Sequence, residues 1–144
     1  MKFFGISMLA VLPLLAAQPD LPAIQQEKNL EKRAELALKY AERLVDGIRD
    51  VYKGGDWSAV EHSLDQIVKG VELADSSLQE TGKQARRSPK HFKRAEKKTR
   101  ELSRRLASFS AEVSFMEREP VEKARLRILT IHDELLMQIM GKKK

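Results

Sequence analysis

Apolar residues recur along most of the chain at alternating spacings of three and four positions. A period near 3.5 residues places such a set on one face of a helix, and the repeat runs through four segments. The segments contain Leu30, Ala34, Ala37, Ala41, Leu44, Ile48 and Val51; Val60, Leu64, Ile67, Val71, Ala74 and Leu78; Phe92, Ala95, Thr99, Leu102, Leu106, Phe109, Val113 and Met116; and Val121, Ala124, Ile128, Ile131 and Leu135. The chain is therefore predicted to be all-α, with four long helices whose apolar faces meet.

Glycine, proline and capping residues divide the four segments. Gly54-Gly55 and Gly82 are predicted to end the first two helices, because glycine adopts the left-handed conformation of a helix C-terminus without strain. The remaining signals are Asp56 or Ser58 as N-cap of the second helix, Ser88 as N-cap and Pro89 as first residue of the third, Pro120 at the start of the fourth and Gly141 at its end. The predicted helices span residues 22–53, 57–81, 89–117 and 120–140.

Short connections require successive helices to run in opposite directions. The economical architecture is an up-down-up-down antiparallel four-helix bundle with coiled-coil-like heptad packing, formed by residues 18–144 as a single domain. Ala34, Ala37 and Ala41 predict that the backbones approach most closely along that half of the first helix. An extended helical hairpin that completes its core as a homodimer is the alternative.

The first turn between helices also carries a local resemblance. The stretch Tyr52–Val60, "YKGGDWSAV", resembles the inter-helix turn of a tetratricopeptide repeat. The resemblance covers nine residues and implies a helical-hairpin turn, since no 34-residue period accompanies it.

Residues 1–17 have the pattern of a cleaved signal peptide. A basic Lys2 precedes the apolar run Phe3–Leu15, and small residues follow at Ala16-Ala17. We expect an exported protein, periplasmic if the host is a Gram-negative bacterium and otherwise secreted. Removal of this segment changes the net charge from +6 to +5, and the absence of cysteine means that packing alone must stabilise the fold.

Motifs for catalysis or metal binding are missing from the sequence. His62, His91 and His132 lie on three different predicted helices and in none of the Glu-x-x-His or His-Glu-x-x-His patterns of metal sites. Met116 and His132 are the residue types of a haem-ligand pair, but antiparallel helices are expected to place them three turns apart. No catalytic residue, metal or cofactor is predicted, and His132 is expected to pack at a helix interface.

The segment Gly82–Arg100, "GKQARRSPKHFKRAEKKTR", is strongly basic. Between Lys83 and Arg105 lie eleven Lys or Arg and two Glu, and the first cations crowd the start of the third helix, where the helix dipole is already positive. This arrangement predicts an anion-binding surface made by Lys83, Arg86, Arg87, Lys90, His91, Lys93 and Arg94.

A purely structural interpretation of the basic segment stays open. The second helix is acidic, and folding it antiparallel to the third would place Glu80 near Lys90, Asp75 near Arg94 or Ala95, and Glu72 near Lys97 or Lys98. Such pairing would turn the cations into a solvated, inter-helix-paired face.

These observations favour a non-enzymatic interaction module that docks an anionic partner such as envelope lipid headgroups, a wall polymer or a protein. Export argues against nucleic acid as that partner. The alternative is a periplasmic carrier or stress-type chaperone bundle that holds haem, metal or lipid between its helices.

Overall fold

The computed structural model describes residues 18–141, and these residues form an all-helical structure. The helices are α1 (Leu21–Gln25), α2 (Leu30–Lys53), α3 (Trp57–Glu80), α4 (Lys90–Glu112) and α5 (Arg118–Ile139), with a short 3-10 turn at Phe115–Glu117 before α5. The all-α prediction is confirmed, and the five helices pack against one another. The predicted signal peptide, residues 1–17, and the final three lysines lie outside the described residues.

The predicted first helix, residues 22–53, is wrong as a single element because the chain breaks between Gln25 and Leu30. Two side chains act as helix N-caps in this region. The Asp20 carboxylate accepts a hydrogen bond from the Ala23 N–H at 3.1 Å, and the Asn29 side chain accepts one from the Lys32 N–H at 3.0 Å. Each cap satisfies a free N–H of a new helix start, so α1 becomes a separate turn. Buried Ile24 anchors it to the core.

The turn between α2 and α3 follows the sequence prediction. Gly55 has a φ of +80°, the left-handed conformation that glycine permits, and Asp56 caps α3 by accepting from the Ala59 N–H at 3.1 Å. Gly82, with a φ of +66°, likewise follows the end of α3.

The limits of α4 and α5 differ from the predicted 89–117 and 120–140. Ser88 is not the N-cap: Pro89 occupies that position, and no side chain caps α4. At its other end α4 stops at Glu112, because Val113 turns to extended backbone and buries its side chain. Helix α5 already begins at Arg118, so Pro120 lies in the first turn, where its missing N–H leaves no hydrogen bond unmade.

The core consists of one apolar stripe from each long helix. Its largest fully buried side chains are Ile48, Ile67, Leu78, Leu102, Leu106, Phe109, Ile128, Ile131 and Leu135. The alanine stripe of α2 forms the predicted close approach: a Cβ added to Gly70 of α3 would lie 3.1 Å from the Ala37 carbonyl oxygen and 3.3 Å from the Ala41 Cβ. Met116 was predicted to belong to the core, but it is 86% exposed because the chain has already left α4.

Ion pairs and hydrogen bonds define how the long helices are arranged. Arg33 donates to Ser77 and Tyr40 donates to Gln66, so α2 and α3 are antiparallel neighbours. Helices α4 and α5 form a second antiparallel pair, with His132 against Glu96. The two pairs then meet side by side, α2 against α4 and α3 against α5.

Helices α2 and α4 run in the same direction. Five ion pairs join them in the same order along both helices: Glu31–His91, Glu35–Arg94, Glu42–Lys98, Asp46–Arg105 and Arg49–Glu112. Helices α3 and α4, although consecutive, meet only weakly, because the connection 81–89 carries the chain diagonally from one antiparallel pair to the other.

No helix within residues 18–141 is both long enough and apolar enough to span a bilayer.

Candidate functional site

The basic segment forms the connection from α3 to α4 and the first turns of α4. Within the connection the N–H groups of Arg87 and Ser88 both donate to the Gln84 carbonyl, at 3.1 and 2.9 Å, and Ala85 is buried. The loop is thus a compact turn pinned to the core by one small apolar side chain. The cations on either side of Ala85 point outward and are exposed.

Three of the seven predicted anion-binding residues are already paired with carboxylates of α2. Lys83 donates to Glu31, and His91 Nε2 lies 2.8 Å from the other oxygen of the same carboxylate. Arg94 pairs with Glu35 at 3.4 Å. The hydrogen bond from Lys83, helped by the charge of His91, holds the pKa of Glu31 below its ordinary value. These three residues therefore fasten α4 to α2.

The other four predicted residues remain exposed. Among residues 18–141, no carboxylate lies within ion-pair distance of Arg86, Arg87, Lys90 or Lys93. The Arg86 side chain runs against Gly141, since a Cβ built there would come within 2.9 Å of Arg86 Cδ. The cluster thus lies between the start of α4 and the end of α5. We name these four residues the basic cluster.

Cations continue along α4 beyond the set that the sequence predicted. Lys97, Arg100 and Arg104 are exposed and follow Lys90 and Lys93 at spacings of three and four, so all five share one flank of the helix. Of these, Arg100 has a weak ion pair within residues 18–141, to Glu96 at 3.6 Å. In the sequence these residues fall between the apolar positions of the third segment. That spacing was the signal by which they could have been added to the predicted anion-binding surface.

The predicted pairing between the second and third helices is wrong. Glu80 pairs with Arg33 rather than Lys90, and Glu72 pairs with Arg127 at 3.0 Å rather than with Lys97 or Lys98. Asp75 likewise accepts from Gln79 of its own helix and not from Arg94. The reason is the diagonal position of α3 and α4: Glu80 and Glu72 of α3 reach α2 and α5 instead, and acids of α2 face α4.

His132 is buried between two carboxylates. Its Nε2 lies 3.0 Å from Glu96 Oε1 on α4, and its Nδ1 lies 3.0 Å from Asp133 Oδ1. Both ring nitrogens are therefore engaged, as expected for a histidine packed at a helix interface. Met116, the other half of the haem-ligand pair considered from the sequence, is exposed at the end of the molecule.

An open groove of about 750 Å³ lies between α3 and α5. Its floor is apolar, with Leu64, Val68 and Ala124, and Trp57 and Met116 border one end. Within residues 18–141, no three His, Asp or Glu side chains are grouped so that they could hold a metal ion.

Comparison of the chain with families of known proteins, with curated proteins and with solved structures finds no match.

Proposed function

We propose that this chain is an exported, non-enzymatic module that binds an anionic partner through the basic cluster Arg86, Arg87, Lys90 and Lys93. One observation carries the proposal. Lys83, His91 and Arg94 contact carboxylates of α2, whereas the adjacent basic cluster is exposed and has no ion pair within residues 18–141.

Stability alone does not account for this arrangement. No acidic residue occupies the first turn of α4, and the free N–H groups there already carry partial positive charge. Each extra cation beside a helix start is unfavourable by roughly 0.3–1 kcal/mol at low salt. A phosphate- or carboxylate-bearing partner would remove that repulsion and accept charge-assisted hydrogen bonds.

The proposal includes the finer architecture and the location of the protein. We take the four long helices as a four-helix bundle with coiled-coil-like packing, produced after export by removal of residues 1–17. Mass spectrometry of the mature protein from its native host tests the second part, because cleavage after Ala17 leaves Gln18 as the first residue.

Binding of inorganic polyphosphate at increasing salt tests the proposed activity. Affinity should fall steeply with salt, and changing all four residues of the basic cluster to Gln should weaken binding at least about tenfold. The matched control changes four other exposed cations that have no ion pair within the described chain: Lys28, Lys53, Arg118 and Lys123. Salt-independent binding, or equal weakening in both variants, would contradict the proposal.

A carrier or stress-type chaperone is the second candidate function. The α3–α5 groove favours it, because an apolar floor of this size could receive part of a lipid or another apolar ligand. The protein should then copurify with a ligand visible by mass spectrometry, and Val68→Asn and Trp57→Ala, at half-buried positions of the groove, should release it. A ligand retained by both variants would place it elsewhere.

A further inference from the structure

Exposed apolar side chains form a row along α5. Leu126, Leu136 and Met140 expose 51%, 37% and 55% of their surface, and half-buried Leu129 lies between them. Their separations of three, seven and four residues place all four on one flank of the helix. We name these residues the apolar row. Large aliphatic side chains aligned on an exposed flank indicate a surface made for contact.

The cationic flank of α4 lies directly beside this row. The contact between Glu96 and His132 Nε2, at 3.0 Å, fixes the register of the two antiparallel helices. One turn onward from Glu96 is Arg100, and one turn back from His132 is Leu129, so these two residues lie across from each other. In the opposite direction Lys93 lies across from Leu136.

Two acidic residues within this face have partners of their own. The Arg125 guanidinium pairs with Glu122 at 2.7 Å and, with a hydrogen bond from Ser110, holds the pKa of Glu122 below its ordinary value. Asp133 is held by the ring of His132 at 3.0 Å. The face between α4 and α5 therefore presents the exposed cationic flank of α4, in which Arg100 alone has an ion pair within residues 18–141, beside the apolar row of α5. Its carboxylates Glu122 and Asp133 contact Arg125 and His132.

We infer that the α4–α5 face lies flat on an anionic lipid surface. The cations of α4 contact headgroup phosphates, and the apolar row enters the boundary between headgroups and acyl chains. The long stems of lysine and arginine suit this position, because they cover apolar surface while the charge stays at the phosphates. This inference rests on the proposed function and names its anionic partner.

The apolar row is what distinguishes a lipid surface from a soluble polyanion. A polyphosphate chain is bound by cations alone, whereas a bilayer also accepts aliphatic side chains from the bound face. The sequence after Met140 continues with Gly141 and three lysines, and near an anionic leaflet each such cation adds attraction.

Vesicle co-sedimentation tests the inference on the full mature chain. The probes are vesicles of phosphatidylglycerol and phosphatidylcholine in equal parts, vesicles of phosphatidylcholine alone, and soluble polyphosphate. The test variant changes Leu126, Leu136 and Met140 to Asn; the control changes Phe115 and Met116, which are 79% and 86% exposed outside the row, to Asn. Far-UV circular dichroism verifies that each variant is folded.

We expect binding to the anionic vesicles but not to phosphatidylcholine alone. The apolar-row variant should bind the anionic vesicles at least about tenfold more weakly, yet bind polyphosphate as the parent does. The Phe115 and Met116 variant should behave like the parent in both assays.

Each of the other outcomes contradicts either the lipid inference, the assigned contact surface or the proposed function. If polyphosphate binds but vesicles do not, the lipid inference fails while the proposed function stands; if neither binds, both fail. Unchanged vesicle affinity in the apolar-row variant, or an equal loss in the control variant, removes the α4–α5 face as the contact surface. If the parent protein binds an acidic amphipathic peptide but does not bind vesicles, the α4–α5 face would be assigned to a protein partner instead.

Discussion

Arg49 of α2 and Glu112 of α4 form a bidentate ion pair, in which Arg49 Nε donates to Glu112 Oε2 at 2.7 Å and Arg49 Nη2 donates to Glu112 Oε1 at 2.9 Å. The pair joins the C-terminal ends of two helices that run in the same direction. The arginine hydrogen bonds hold the pKa of Glu112 below its ordinary value of 4.5, and Glu112 in turn raises the pKa of Arg49.

The Arg49–Glu112 pair predicts a specific loss of stability in acid. Because the folded-state pKa of Glu112 is lowered, its contribution is complete above its ordinary pKa and is lost as pH falls through the folded value. Arg49→Gln should therefore be less stable than the parent at neutral pH, and the difference should shrink in acid. Urea unfolding near neutrality and at about pH 3 measures this. Arg118→Gln, which removes an exposed cation that has no ion pair within residues 18–141, should show a difference from the parent that does not depend on pH.

The parallel placement of α2 and α4 predicts which charges couple energetically. Lys98 Nζ lies 2.9 Å from Glu42 of α2, so a double-mutant cycle with Lys98→Gln and Glu42→Gln should give a coupling of about 0.3–0.5 kcal/mol. The cycle of Lys98→Gln with Glu72→Gln on α3 should give none. Coupling to Glu72 instead of Glu42 would mean that α4 lies beside α3.

Replacing Gly47 and Gly70 by alanine should change the free energy of unfolding in opposite directions. Gly47 has open space around its Cβ position, so Gly47→Ala should raise the free energy of unfolding by about 0.5–1 kcal/mol through helix propensity. At Gly70 the added methyl would lie 3.1 Å from the Ala37 carbonyl oxygen. Overpacking of roughly 1–3 kcal/mol then exceeds the propensity gain, and Gly70→Ala should destabilise by about 1 kcal/mol. Thermal unfolding of both variants decides, and stabilisation by both would contradict the close α2–α3 approach.

Removal of His132 should destabilise the pairing of α4 with α5. His132→Ala leaves a cavity and takes a partner from half-buried Glu96, so we expect a loss of about 2–3 kcal/mol in unfolding free energy. His62→Ala, at an exposed position of α3, should change it by less than about 0.5 kcal/mol. Chemical denaturation of the two variants side by side gives the comparison, and similar losses would remove the assigned role of His132.

The carboxyl of Asp75 should weaken the fold at neutral pH. Burial raises its pKa, and the nearby charges of Glu134 and Glu72 act in the same direction. A raised folded-state pKa disfavours the ionised form, so stability falls as pH rises through that value. Asp75→Asn should therefore raise the urea midpoint at neutral pH, with the gain disappearing in acid. Asp65→Asn on the same helix should not raise it, because the hydrogen bond from Lys69 lowers the pKa of Asp65.

Local features were predictable because their causes are local. The N-cap Asp56 and the glycines at 55 and 82 follow from backbone geometry within a few residues. The predicted helix 22–53 ran through the break before α2, although Asn29 is a good N-cap, because no glycine marks that break in the sequence. Met116 matched the period of the third helix but lies beyond the extended residue Val113, where that period no longer applies.

The candidate site was predictable in composition and not in detail. Charge density marked the basic segment, but which cations stay unpaired depends on the helix that α4 meets. Glu31 and Glu35 contact Lys83, His91 and Arg94 because α2 lies beside α4. On α5, Leu136 and Met140 follow the apolar repeat of the fourth segment in the sequence, yet both are exposed in the structure.

The sequence by itself determined that the chain is helical, which residues face the core and where most helices begin and end, since period, caps and glycine conformations act over one or two turns. The tertiary structure alone decided which helices are neighbours. An apolar stripe indicates which face of a helix is buried but not which helix covers it. The acidic residues of α2 and of α3 could equally attract the cations of α4. The diagonal course of residues 81–89 places α4 beside α2, and this placement determines which cations of α4 remain exposed.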